Sequence, residues 1–121
     1  MRGELSPRMV CFSPMPAPAI TVEELKAKRD KGETVTLIDV REPHEWAISD
    51  LPGSLKIPLG TLPARVGEIP KGAEVVVYCR TGGRSANAVQ FLRAQGYDKA
   101  LNLAGGINRW AEVVDPDMPR Y

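Results

Sequence analysis

The 121-residue sequence predicts an α/β domain: a mostly parallel central sheet with helices on both faces. Three observations lead there. Short apolar, β-branched runs recur at residues 35–40 (VTLIDV), 74–79 (EVVVYC) and 100–103 (ALNL). Segments with helix-start signals or helical apolar spacing lie between them. The connections are too long for tight hairpins and suit right-handed crossovers, which place helices on the two faces.

The elements follow in order. Residues 1–19 are proline-rich without a period and read as a flexible tail or linker, so the domain is expected over 20–121. Thr21 and Glu24 form a T-x-x-E capping box that starts a helix ending near Gly32. The 35–40 run reads as a buried strand ending in Asp39 and Val40. After it, Pro43 suits the first turn of a short helix through Ile48, Leu51-Pro52-Gly53 is a turn, and 55–57 is a second short strand stopped by Pro58. Residues 61–69 are weakly helical, and Pro70-Lys71-Gly72 turns into the strongest strand, 74–79.

Beyond that strand, residues 80–84 make a tight loop, and Ser85 is expected to cap a helix through Gln95. Ala88, Val89 and Leu92 should face inward, with Gly96 just past the helix end. A third interior strand is expected over 100–103. Gly105-Gly106 then turns into a last helix, 107–113, which Pro116 and Pro119 end.

Composition narrows the function. Sixteen Lys+Arg against fifteen Asp+Glu give a formal net charge of +1 without like-charge runs, which argues against nucleic-acid and membrane-surface partners. Two cysteines far apart are not a disulfide framework and fit a reducing, cytoplasmic setting. No apolar stretch is long enough for a signal peptide or a transmembrane helix. One His and two Cys supply no metal-site spacing, and no G-x-G-x-x-G follows a strand, so neither metal nor organic cofactor is expected.

In open α/β sheets ligands bind at the carboxyl ends of the strands, and Cys79 ends the strongest strand. The loop after it, Arg80, Thr81, Gly82, Gly83, Arg84 and Ser85, has three features that favour an anion: glycines that let N–H groups turn inward, a following helix N-terminus, and two arginines. The same dipoles stabilise a thiolate, which makes Cys79 a nucleophile candidate rather than one more small core residue. Arg80 is expected to hold an anion at the loop's mouth, the donor itself in the cycle that the resemblance below implies. Arg84 either points to the anion or pairs with a carboxylate, with Glu42 as the candidate partner. Asp39 and Arg41, ending a neighbouring strand, are assigned pocket support. His44 is read as a surface residue, Trp46 and Trp110 as packing, and Cys11 as a bystander thiol in the tail.

Together, LIDVREPHEW (37–46), LPGSLKIPLG (51–60), VVVYCRTGGRSANA (75–88) and LNLAGGINRW (101–110) resemble the rhodanese-like sulfurtransferases. One departure is that Ser49-Asp50 precede Leu51-Pro52-Gly53 where the family commonly has Gly-His. The resemblance implies a rhodanese-like fold and a persulfide cycle. Cys79 takes sulfane sulfur from a small-molecule donor such as thiosulfate, or from a persulfide, and yields it to a thiol or cyanide. The loop from Arg80 to Ser85 would hold the persulfide anion.

The ending GGINRWAEVVDPDMPRY is similar to rhodanese domains fused to adenylyltransferases of molybdopterin and thiamin biosynthesis. That implies a ubiquitin-like sulfur-carrier protein or a cysteine desulfurase as further partners. Two other readings share the fold. A phosphatase or arsenate reductase would use the same Cys and Arg, but its loop has one more residue than the four between Cys79 and Arg84. A non-catalytic binding module would typically have lost the Cys.

Overall fold

The computed structural model describes residues 17–121. Five strands form one sheet in the order β1-β5-β4-β2-β3, every neighbouring pair parallel. They are β1 (Ala19–Ile20), β2 (Thr36–Asp39), β3 (Leu55–Lys56), β4 (Val75–Tyr78) and β5 (Ala100–Leu103). The helices are α1 (Val22–Asp30), α2 (Pro43–Trp46), α3 (Leu62–Arg65, flanked by 3-10 turns), α4 (Gly83–Ala94) and α5 (Gly106–Val113).

Alternation along β2 and β4 divides the core into two layers. Ile38, Val40, Val75, Val77 and Cys79 pack with Leu62, Ala88, Val89 and Leu92 from α3 and α4. Leu37, Val76 and Tyr78 face the other way, against Val22 and Leu25 of α1 and Ile107 and Trp110 of α5. Strands buried on both faces favour apolar residues at successive positions, which explains the unbroken run at 75–78.

Local chemistry sets most ends. Thr21 and Glu24 form the expected reciprocal cap: the Glu24 N–H donates to Thr21 Oγ1 at 3.0 Å, and the Thr21 N–H to Glu24 Oε1 at 2.9 Å. Helix α4 ends in a Schellman motif, with the Tyr97 N–H donating to the Leu92 carbonyl and the Gly96 N–H to that of Arg93.

Four local expectations are corrected. Ser85 does not cap α4. Gly82, left-handed at φ 114°, is the N-cap, so the helix begins at Gly83 and Ser85 lies inside its first turn. Gly106 belongs to α5, whose left-handed N-cap is Gly105, and α2 stops at Trp46. The sheet also reaches upstream of residue 20: Ala19 pairs with Asn102, and the Asn102 N–H donates to the Pro18 carbonyl at 2.8 Å. A two-residue edge strand beside prolines leaves no periodic signal. Cys11 lies outside the described residues.

Candidate active site at the end of β4

Cys79 follows the last residue of β4 and is 1% exposed, the floor of a site whose rim is the loop into α4. Positive φ at Gly82 turns the chain so that its own N–H donates to Cys79 Sγ at 3.1 Å. The Ser85 hydroxyl lies 3.4 Å from the same sulfur. The first-turn N–H groups of α4 have no acceptor within their own helix, so they are available to negative charge at this point. Burial pushes the Cys79 thiol up. The Ser85 hydroxyl and the N–H groups of Ser85, Gly82 and Thr81 outweigh it, and the thiol lies below its ordinary value.

Helix α5 supports the loop from behind. The Ile107 N–H donates to the Cys79 carbonyl at 2.9 Å and the Asn108 N–H to the Arg80 carbonyl at 3.1 Å. Gly106 approaches so closely that a Cβ there would fall on both carbonyls. Strand β5 holds the side: Asn102 Nδ2 donates to the Gly82 carbonyl at 3.2 Å, and Ser85 Oγ donates to Asn102 Oδ1 at 2.5 Å.

Arg84 pairs with Glu45, not Glu42. Its Nη1 and Nη2 donate to the two Glu45 carboxylate oxygens at 2.7 and 2.8 Å. Pro43 fixes the start of α2 with Glu42 as N-cap, which places Glu45 one turn on and buried, while Glu42 stays exposed. The pair with Arg84 holds the Glu45 carboxyl well below the usual carboxylate range, against the opposing effect of burial. The arrangement ties Arg84 to α2 at one edge of the loop.

Asp39 and Arg41 are both fully buried and form an ion pair at 2.8 Å. The remaining Arg41 donors go to the Glu45 and Ser49 carbonyls and the Tyr121 hydroxyl. Burial opposes the charge on Arg41, and its bonds to Asp39 and Tyr121 prevail. These two residues therefore reach the Cys79 loop indirectly, through Glu45 and Tyr121. Arg80 is exposed at the rim, its guanidinium bonded to the Tyr121 carbonyl and lying 5.0 Å from the centroid of the Tyr121 ring. Thr81 and Gly83 are exposed on the same rim.

Glu45, Asn102 and Tyr121 escaped the sequence reading. Tyr121 donates its hydroxyl to Glu45 Oε2 at 2.6 Å while accepting from Arg41. For Asn102 a usable signal exists: a polar residue inside an interior apolar strand. For Tyr121 there is none. His44 is exposed, as expected, and Trp110 is buried with Arg29 over its ring.

Among the described residues no cluster of three or more His, Cys, Asp or Glu suits a metal ion, and no helix is long and apolar enough to cross a membrane. A cavity of about 300 Å³ between Arg29, Glu33, Val35 and Pro52 opens at the amino ends of the strands, away from Cys79.

A parallel sheet with helices packed on it and a buried thiol under an N–H-lined loop at a strand's carboxyl end defines the class of α/β domain. Within it, the Rhodanese-like domain profile matches residues 21–113, and the chain belongs to that family. A sulfurtransferase of Allochromatium vinosum is 45% identical over 102 residues, covering 81% of this chain and 95% of that protein. The probable adenylyltransferase/sulfurtransferase MoeZ of Mycobacterium tuberculosis is 39% identical over 104 residues, 84% of this chain but only 26% of MoeZ. The crystal structure of a rhodanese-like domain protein from Staphylococcus aureus superposes with a TM-score of 0.75 at 32% identity, covering 86% of this chain and 98% of that one.

Proposed function

We propose that this chain is a sulfurtransferase in which Cys79 carries sulfane sulfur as a persulfide. The observation that carries the reading is the convergence of the Gly82 N–H, the Ser85 hydroxyl and the start of α4 on one buried sulfur. Sulfurtransferase relatives that match most of the chain support it. With thiosulfate as donor, the Cys79 thiolate attacks the outer sulfur. The new S–S bond forms as the bond to the sulfonate group breaks, and the electron pair leaves with sulfite. A thiol or cyanide then attacks the terminal sulfur and regenerates the thiolate, both steps being thiol–disulfide-type exchange.

In this scheme Arg80 recruits the anionic donor, and Thr81, Gly82, Gly83 and Ser85 hold the terminal sulfur anion. Arg84 adds positive charge at the loop's edge, and the Asp39–Arg41 pair steadies Glu45 behind it. A ubiquitin-like carrier protein is a candidate acceptor and a cysteine desulfurase a candidate donor, as the resemblance of the chain's ending implies, and the similarity to an adenylyltransferase/sulfurtransferase is in keeping with sulfur-transfer partners. A reducing compartment would keep the thiol available, and the residues before Ala17 would act as a linker.

The test is the intact mass of the reduced protein after incubation with thiosulfate, beside a Cys79→Ser variant. One sulfur atom added to the native chain, removed by cyanide and missing from the variant, is the expected result. Hydrolysis of an aryl phosphate through Cys79 without sulfur uptake would overturn the reading in favour of a phosphatase. Neither activity would leave a binding module.

A further inference from the structure

The Ser85 hydroxyl carries one proton and faces two acceptors: Cys79 Sγ at 3.4 Å and Asn102 Oδ1 at 2.5 Å. The second geometry is the better one, so in the thiol state the proton goes to Asn102. The amide cannot simply turn over to relieve this competition. Its Nδ2 donates to the Gly82 carbonyl at 3.2 Å, and reversal would set two oxygens against each other. Nor can the residue move away. Asn102 is flanked on β5 by Ala19 on one side and Val77 on the other, with its N–H bonded to the Pro18 carbonyl.

We propose that Asn102 is a positioning residue that withholds the Ser85 hydroxyl proton from Cys79 while the sulfur is neutral and yields it when negative charge develops there. A rigid carbonyl acceptor competes well with a neutral thiol and poorly with a thiolate or persulfide anion, because hydrogen bonds to charged acceptors are roughly twice as strong. The hydroxyl swings between the two without any backbone movement. The charged groups around the sulfur are few: Arg84 on α4, held by Glu45 of α2, and Arg80 on the loop. On α5, Arg109 turns to Glu112, and on β2, Asp39 is taken by Arg41. None of these groups bonds Ser85 or Asn102.

The inference takes the Cys79 thiolate from the functional reading above, but its readout is the titration of a thiol and needs no sulfur transfer. Failure of one is therefore distinct from failure of the other. The experiment follows thiolate ultraviolet absorbance against pH, and iodoacetamide alkylation below the thiol's midpoint, in a Cys11→Ser chain so that only Cys79 reports. Asn102→Ala should lower the titration and speed alkylation about two- to fivefold, since the proton then serves sulfur alone. A merely structural role predicts the opposite sign, because loosening the Gly82 carbonyl would withdraw N–H donors from the thiolate. Ser85→Ala should raise the titration, and adding Asn102→Ala to it should change nothing further. Asn102→Val, more compatible with a strand and without an acceptor, repeats the test should the alanine chain fold poorly. A titration unmoved or raised by the Asn102 substitutions, a shift that persists without Ser85, or a titration indifferent to Ser85→Ala would each overturn the proposal.

Discussion

The Gly82-Gly83 and Gly105-Gly106 doublets look alike in sequence, and each begins a helix from a left-handed first glycine. They do opposite work. The start of α4 presents donors to a sulfur, while the start of α5 spends its N–H groups on the Cys79 and Arg80 carbonyls of the same loop. One terminus turns donors toward the sulfur, and the second, through the Ile107 and Asn108 N–H groups, holds it in place. The second glycines show the difference sharply: a Cβ at Gly83 would meet nothing within 4 Å, whereas one at Gly106 would strike two backbone carbonyls.

Gly106→Ala should therefore produce the largest effect. Overlap with backbone and φ +63° together should cost about 2–4 kcal/mol in chemical denaturation and slow sulfur uptake, while Gly83→Ala should stay within about 0.5 kcal/mol. Equal costs at the two positions would break the contrast.

Acid sharpens it next. The α4 terminus is tied down by a charge pair and that of α5 by backbone alone, so only the first should respond to pH. The Glu45 carboxyl is depressed below its ordinary 4.5, so the stability it contributes is complete above that value and is lost as pH falls toward the folded-state value. Glu45→Gln should cost about 1 kcal/mol at neutral pH, a figure kept small because the Arg84 side chain is 37% exposed. The variant should also flatten the decline of stability below pH 4.5 in denaturant titrations across that range. An unchanged acid slope would show that Glu45 does not control this end of the site.

The smallest effect is expected at Tyr121. Tyr121→Phe removes the hydroxyl between Arg41 and Glu45 but keeps the ring beside Arg80. It should cost about 0.5 kcal/mol and leave the thiosulfate KM within twofold, as initial rates would report. A larger rise in KM would make Tyr121 part of donor binding.

What was legible in the sequence was local. The Thr21–Glu24 box, the apolar runs of β2 and β4, the inward face Ala88, Val89 and Leu92, and the loop between Cys79 and Ser85 each follow from neighbours within a turn or a strand. What was illegible depends on how distant elements dock. Arg84 finds Glu45 rather than Glu42 because Pro43 sets the phase of α2. Ser85 is released from capping because Gly82 adopts a left-handed conformation. Tyr121 reaches three partners that no spacing connects to it, and β1 exists only because β5 offers it an edge.

Because β5 and α5 complete the loop, the chemistry of Cys79 has an order in time. In a chain being synthesised, residue 79 emerges and is free to fold before residues 102, 107 and 108 emerge. Until they emerge, the Cys79 and Arg80 carbonyls and the Gly82 carbonyl lack these partners, and the loop has no reason to hold its turn. A nascent chain thus carries an ordinary cysteine there. The hydrogen bonds that hold the loop around the sulfur are complete only when β5 and α5 have docked.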